Sequence, residues 1–140
     1  MKRANSARMM VALMLFSALS AVVVANDAGS GGDAGDSTST AFYLPASNDT
    51  YYGNLTSSTD ESDYYAVNMS TNTGIAAQLI SPSGADFDLT LYSSSASLID
   101  SSASTGVDDI TSNGSTVGGT TIYIEVARWS GSGQYTLQIW

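Results

Sequence analysis

The chain has 140 residues, a formal net charge of −9, thirteen acidic residues against four basic ones, and no Cys or His. That length suits one domain. The missing Cys and His exclude disulfide staples, Ser–His–Asp and Cys–His nucleophile systems, and the usual zinc sites. Lys2 is the single lysine, so Schiff-base and Ser–Lys mechanisms have no residue to use beyond the leader.

Residues 1–25 differ in texture from everything after them. Lys2, Arg3 and Arg8 form a positive n-region, Met9 to Ala25 is an apolar run of 17 residues broken only by serine, and Ala25 offers a small residue for cleavage before Asn26. This pattern predicts an N-terminal secretory signal helix. The alternative is an uncleaved anchor, because 17 residues sit at the lower limit for spanning a bilayer. That segment is the one route to a membrane which the sequence offers. All thirteen acids and a single cation, Arg128, lie after residue 25, so the remainder carries a formal charge of −12. Such a surface repels nucleic-acid phosphates and anionic headgroups and attracts divalent cations. Nucleic acid is excluded as a partner.

Residues 26–41 are Gly/Ser/Asp-rich and contain no large apolar side chain, so they read as a leader that cannot fold alone. From residue 42 to 140 the texture is that of an all-β domain, with Val-, Ile-, Thr-, Tyr- and Leu-rich runs separated by Gly, Ser, Asn and Asp. Strands are predicted near 50–56, 63–69, 74–80, 87–93, 97–100, 107–111, 120–128 and 134–140. Alternation assigns the inward faces. Tyr65, Val67 and Met69 share a side, as do Ile75, Ala77 and Leu79. The same holds for Phe87, Leu89 and Leu91, for Ile122, Ile124 and Val126, and for Tyr135, Leu137 and Ile139. About eight short strands at this spacing predict an antiparallel, jelly-roll-like β-sandwich. Tyr43 and Trp140 are expected to cover the ends of its core, and Pro45 and Pro82 to lie in loops.

Several positions could carry chemistry or contacts. Asp86 and Asp88 project from the same face of one strand, roughly 7 Å apart; they could form a metal or acid–base pair, or cap a loop. Trp129, in a Gly/Ser loop beside Arg128, could stack on a sugar ring or a partner side chain, or fold back over the sandwich end. Tyr51, Tyr52 and Tyr64 are candidates for an exposed aromatic strip, with edge packing as the alternative. Asn48, Asn54, Asn68 and Asn113 each begin an N-x-Ser/Thr sequon, the acceptor for glycosylation of an exported chain.

Read in order, several segments resemble the pre-peptidase C-terminal domain family, small β-sandwiches appended to secreted proteases and other exported proteins. The resemblance runs from about Asp33 to Trp140. It rests on the acidic opening Asp33-Ala34-Gly35-Asp36-Ser37, on Gly53-Asn54-Leu55, on the loop Asp60 to Tyr65, and on Asp86-Phe87-Asp88-Leu89-Thr90-Leu91-Tyr92. The closing pair is Ile122 to Val126 and Gly133 to Leu137. One departure follows from reading residues 1–25 as a signal: the domain is then expected to follow it directly, with no protease in cis.

Calcium favours six to eight oxygen ligands from carboxylates on flexible loops. Two acidic clusters could supply them: Asp60 and Asp63 at the turn into the second predicted strand, and Asp33 and Asp36 in the leader, with Asp27 upstream. The resemblance extends to the collagen-binding domains of bacterial collagenases, which bind calcium where a leader crosses the sheet edge. It implies that Asp60 and Asp63 match the loop pair, that Asp36 matches the leader acid, and that Asp33 is a looser match. The plain alternative is solvated loop acids favoured by turns. Glu61 points the other way in the alternating segment. The sequence therefore predicts a secreted or cell-surface, non-catalytic module that binds an extracellular polymer or protein partner and is stabilised by calcium. A structural component of a surface assembly without a discrete ligand is the first alternative, and a small carboxylate-dependent hydrolase the second.

Overall fold

Strand-forming runs separated by turn residues give nine strands among the described residues: β1 (Phe42–Tyr43), β2 (Asp49–Leu55), β3 (Ser62–Asn68), β4 (Ile75–Ile80), β5 (Asp86–Tyr92), β6 (Leu98–Ser102), β7 (Val107–Ser112), β8 (Thr121–Ser130) and β9 (Gly133–Ile139). The structure, a computed structural model, describes residues 26–45, 48–56, 58–70, 74–112 and 121–140. The expected signal helix and the Asn113 sequon lie outside these residues. No helix among the described residues is long and apolar enough to cross a membrane.

The strands form two sheets, one of five in the order β1-β3-β8-β5-β6 and one of four in the order β2-β9-β4-β7. Every pairing is antiparallel except β1 with β3. The strands that build the core, β2, β3, β4, β5, β8 and β9, bury one side of the pleat, because successive side chains point to opposite faces, whereas β6 buries no residue. Tyr65 and Val67 of β3, Phe87, Leu89 and Leu91 of β5 and Ile122, Ile124 and Val126 of β8 meet Leu55 of β2, Ile75, Ala77 and Leu79 of β4 and Tyr135, Leu137 and Ile139 of β9 in one continuous core. The inward faces read from alternation are thus the buried ones, except that Met69 lies past the end of β3 and is only half-buried, and the all-β sandwich is the architecture found.

Three features depart from the expected arrangement. The ninth strand, β1, is two residues long and pairs in parallel through Phe42–Tyr65 and Tyr43–Ala66; two residues carry no period, so only the neighbouring strand defines it. Tyr43 and Trp140 do not cover the core ends, being 55% and 53% exposed. Leu44 is buried instead, its amide bonded to the Ala66 carbonyl at 2.9 Å. Ile139 points inward, so alternation turns Trp140 to the outer surface. The leader, finally, is laid against the sandwich: Asp27 and Ala34 are fully buried, and the Tyr64 amide donates to the Gly35 carbonyl at 2.9 Å. A segment too polar to fold alone folds onto a surface that supplies its hydrogen-bond partners.

Candidate metal centre

The leader places its first acid by a tight turn. Asp27–Gly29 form a 3-10 turn closed by the Ser30 amide on the Asp27 carbonyl at 2.9 Å, and the Asp27 amide donates to the Gly32 carbonyl at 3.0 Å. The chain then runs over β2, where the Asn54 amide donates to Asp27 Oδ1 at 2.7 Å. Farther along, Gly35 adopts a φ of +87°, and a Cβ there would collide with Thr40, so only glycine fits this bend between the leader and β3.

These contacts bring Asp27 and Asp33 from the leader together with Asp63 from β3. One carboxylate oxygen from each lies within 4.8 Å of the others, the span of two ligands on opposite sides of a Ca2+ ion at about 2.4 Å each. Asp60, just before β3, adds charge to the same group. Asp27, Asp60 and Asp63 share one bonding pattern. In each, one oxygen accepts from protein: Asp27 Oδ1 from Asn54, Asp60 Oδ2 from the Thr56 amide and hydroxyl at 3.1 and 2.9 Å, and Asp63 Oδ2 from the Tyr135 hydroxyl at 2.5 Å. The other oxygen (Asp27 Oδ2, Asp60 Oδ1, Asp63 Oδ1) is buried without a protein partner. A buried carboxylate oxygen without a partner is costly. The close group of Asp27, Asp33 and Asp63, two of which carry such an oxygen, forms a donor set that a hard, oxygen-seeking cation satisfies.

The electrostatics agree. Burial first of all, with the charges of Asp27, Asp60 and Asp33 and against the Tyr135 hydrogen bond, pushes the Asp63 carboxyl up to about 8. Burial likewise lifts Asp27 to about 6, with the Asn54 and Ala34 amides pulling down and Asp33 and Asp60 pushing up. Asp60 moves up for the same first reason, opposed by Thr56. A bound divalent cation supplies the opposite charge that would hold all these groups ionised.

Asp63 is fixed from the core side. Tyr135 reaches it from β9, across from one sheet to the other, and its hydroxyl also meets the Tyr65 hydroxyl at 2.5 Å. The Tyr135 ring packs edge-on against Phe87, with centroids 6.1 Å apart. Gly53 on β2 makes room for it: a Cβ at that position would collide with the Tyr135 hydroxyl and Cζ.

Of the four acids expected at a metal, the structure brings Asp33 and Asp63 into the triad, sets Asp60 beside it, and leaves Asp36 exposed, acting on Asp60 only through space. Asp27, noted in the sequence only as lying upstream, is the buried leader acid. Its proximity to Asn54 across 27 residues has no local signature. The part played by Tyr135 was also illegible, because an inward Tyr on an alternating strand reads as core. Trp129 is 74% exposed and does not fold back over the sandwich end. Arg128 is engaged by the turn around it, with Nη1 on the Gly131 carbonyl at 3.2 Å and Nη2 paired with Glu61 at 3.5 Å.

The tyrosines expected as one strip are divided. Tyr51 is buried, Tyr52 is exposed on the four-stranded sheet, and Tyr64 lies on the five-stranded sheet, stacked at 6.3 Å on Tyr92. Asp86 and Asp88 sit near a third acid, the buried Asp108, whose Oδ1 accepts from the Ser102 hydroxyl and Ser104 amide; Asp88 is raised first by burial, then by Asp86 and Asp108. Of the sequons, Asn48 and Asn68 are exposed, while Asn54 is half-buried under the leader turn.

No family model and no curated protein matches the sequence. Among solved structures, the chain is similar to the pre-peptidase C-terminal domain of collagenase from Bacillus anthracis, with a TM-score of 0.61 and 19% identity over 71% of this chain and 93% of that one. Two sheets with this strand arrangement, preceded by a leader laid over β2 and β3, therefore have the fold of a pre-peptidase C-terminal domain.

Proposed function

We propose that the chain is an exported, non-catalytic β-sandwich module that holds calcium between its leader and its sheets and binds an extracellular polymer or protein partner. The observation that carries this reading is the close approach of Asp27, Asp33 and Asp63, of which Asp27 and Asp63, like nearby Asp60, each have one oxygen held by protein and the other buried and unpaired. An all-oxygen set without nitrogen or sulfur suits Ca2+, with water completing the six to eight ligands. Asp27, Asp33 and Asp63 would hold the ion, with Asp60 adjacent, and the ion would tie the leader to the sandwich.

Export is supported by the signal pattern of residues 1–25 and by a domain that needs no reduced thiol. A binding role without catalysis is supported by the absence of His, Cys and any lysine beyond residue 2, and by acids placed to bind a cation. The test is thermal melting of the full chain in millimolar Ca2+ and in chelator, with co-sedimentation on insoluble collagen, cellulose, chitin and cell envelope. The reading expects a calcium-dependent rise in melting temperature and saturable retention on one of these. An unchanged melting curve with no retention on any would overturn it.

A further inference from the structure

The outer face of the four-stranded sheet is almost uncharged in a region whose formal charge is −12. Alternation turns Thr50, Tyr52 and Asn54 of β2, Gln134, Thr136 and Gln138 of β9, and Gln78 and Ile80 of β4 to this side. Its single carboxylate is Asp109 on β7, which accepts from Gln78 Nε2 at 2.6 Å. Asp49, at the start of β2, has the opposite parity and is tied to the Thr50 amide. Two large aromatics stand out from the face: Tyr52, 55% exposed, and Trp140, which continues the β9 row beside β4 through paired backbone bonds with Ala76.

Two hollows follow β2. One, of about 800 Å³, runs from the leader turn, where Asp27 borders it, past Tyr52, Asn54 and Gln134 to Thr50. The other, of about 360 Å³, runs from Asp49, which borders it despite its parity, and Thr50 past Gln138 to Trp140. Thr50 lines both, so they form one trough. The two rings stand four residues apart along the strand pair, roughly 13 Å by strand rise.

We infer that this trough is a binding site for a neutral polysaccharide chain, lying along β2 and β9 with Tyr52 and Trp140 as stacking platforms. The inference deepens the proposed binding role and rests on it. Charge selects the occupant. The acidic domain repels polyanions, and between the carboxylates at its two ends, Asp27 and Asp49, the trough is lined by uncharged side chains, so it offers a polycation no row of partners. A neutral glycan presents apolar faces of CH groups to flat rings and hydroxyls to amide and hydroxyl side chains. Tyr52, Trp140, Asn54, Gln134 and Gln138 supply that combination of an apolar body and polar partners.

The sequence provides its own probe. Trp129 and Trp140 are the two tryptophans, so Trp129→Phe leaves Trp140 as the sole reporter. The full chain with this change, loaded with Ca2+, is titrated with cellohexaose and chitohexaose while its fluorescence is followed. Co-sedimentation on cellulose and chitin runs alongside. The expected result is a saturable shift of Trp140 emission with one of the two sugars. Tyr52→Ala should weaken binding at least tenfold at unchanged melting temperature, and Trp129→Ala should bind normally. Unchanged emission with both sugars, or retention that survives both Tyr52→Ala and Trp140→Ala, overturns the site. Retention on collagen or envelope that is indifferent to Tyr52 and Trp140 also overturns it but leaves the broader binding role standing. Absence of retention on every polymer, with no calcium effect, removes both.

Discussion

Tyr135 on β9 donates its hydroxyl proton to Asp63 Oδ2 on β3 at 2.5 Å, joining the two sheets through the carboxylate that also faces the acidic centre. The same hydroxyl meets Tyr65 at 2.5 Å, and the Tyr135 ring is held against Phe87 and over Gly53. One oxygen of Asp63 is therefore anchored to the core, while the other is buried without a protein partner. Packing inside the sandwich and geometry at the proposed ion are parts of one arrangement.

Calcium should raise the melting temperature by binding the folded state alone. At one hundred times its dissociation constant the gain is about 2.7 kcal/mol, on the order of 10 °C for a domain of this size. Asp63→Asn and Asp27→Asn should each abolish the rise, whereas Asp36→Asn should keep it, because Asp36 lies outside the triad. Differential scanning calorimetry in Ca2+ and in chelator checks all three.

Without metal, stability should fall as pH rises. Asp63 is raised from 3.8 to about 8 and Asp27 to about 6, so between those values the folded protein keeps protons that the unfolded chain releases. Stability is then highest near pH 4 and drains toward pH 8, the reverse of the trend for a salt-bridged carboxylate. Saturating Ca2+ should flatten or invert this slope, because the ion favours the ionised ligands. Urea melts at pH 5, 6, 7 and 8 in chelator and in Ca2+ measure it.

Tyr135→Phe should destabilise the domain by about 1–3 kcal/mol, since it leaves a buried carboxylate oxygen and the Tyr65 hydroxyl without their shared partner. It should also weaken calcium binding, read by isothermal titration. Tyr65→Phe keeps the donor on Asp63 and should leave calcium affinity close to that of the parent chain.

Gly53→Ala places a methyl group against the Tyr135 hydroxyl and Cζ. Tyr135 must shift to admit it, at a cost of about 1–3 kcal/mol for overpacking. The displaced hydroxyl should weaken calcium binding in the same titration. A melting temperature equal to that of the parent chain would show that the two strands part without strain.

Trp129→Ala should change stability by less than about 0.5 kcal/mol in a urea melt, because the ring is 74% exposed and packs into no core.

The sequence by itself determined the sandwich. Alternation at Ile75-Ala77-Leu79, Phe87-Leu89-Leu91 and Tyr135-Leu137-Ile139 is a local property, and burying one side of each strand leaves two facing sheets as the outcome. The acid-rich turn at Asp60 and Asp63 was legible for the same reason, lying within a few residues of a strand start. Tertiary structure alone decided that Asp27 rather than Asp36 is buried and joins Asp33 and Asp63, that Tyr135 anchors Asp63, and that Trp140 turns outward beside Tyr52. Each of these depends on contacts between residues far apart in the chain (Asp27 with Asn54, Asp63 with Tyr135). No local pattern encodes such pairs, because they form only when the two sheets and the leader pack together.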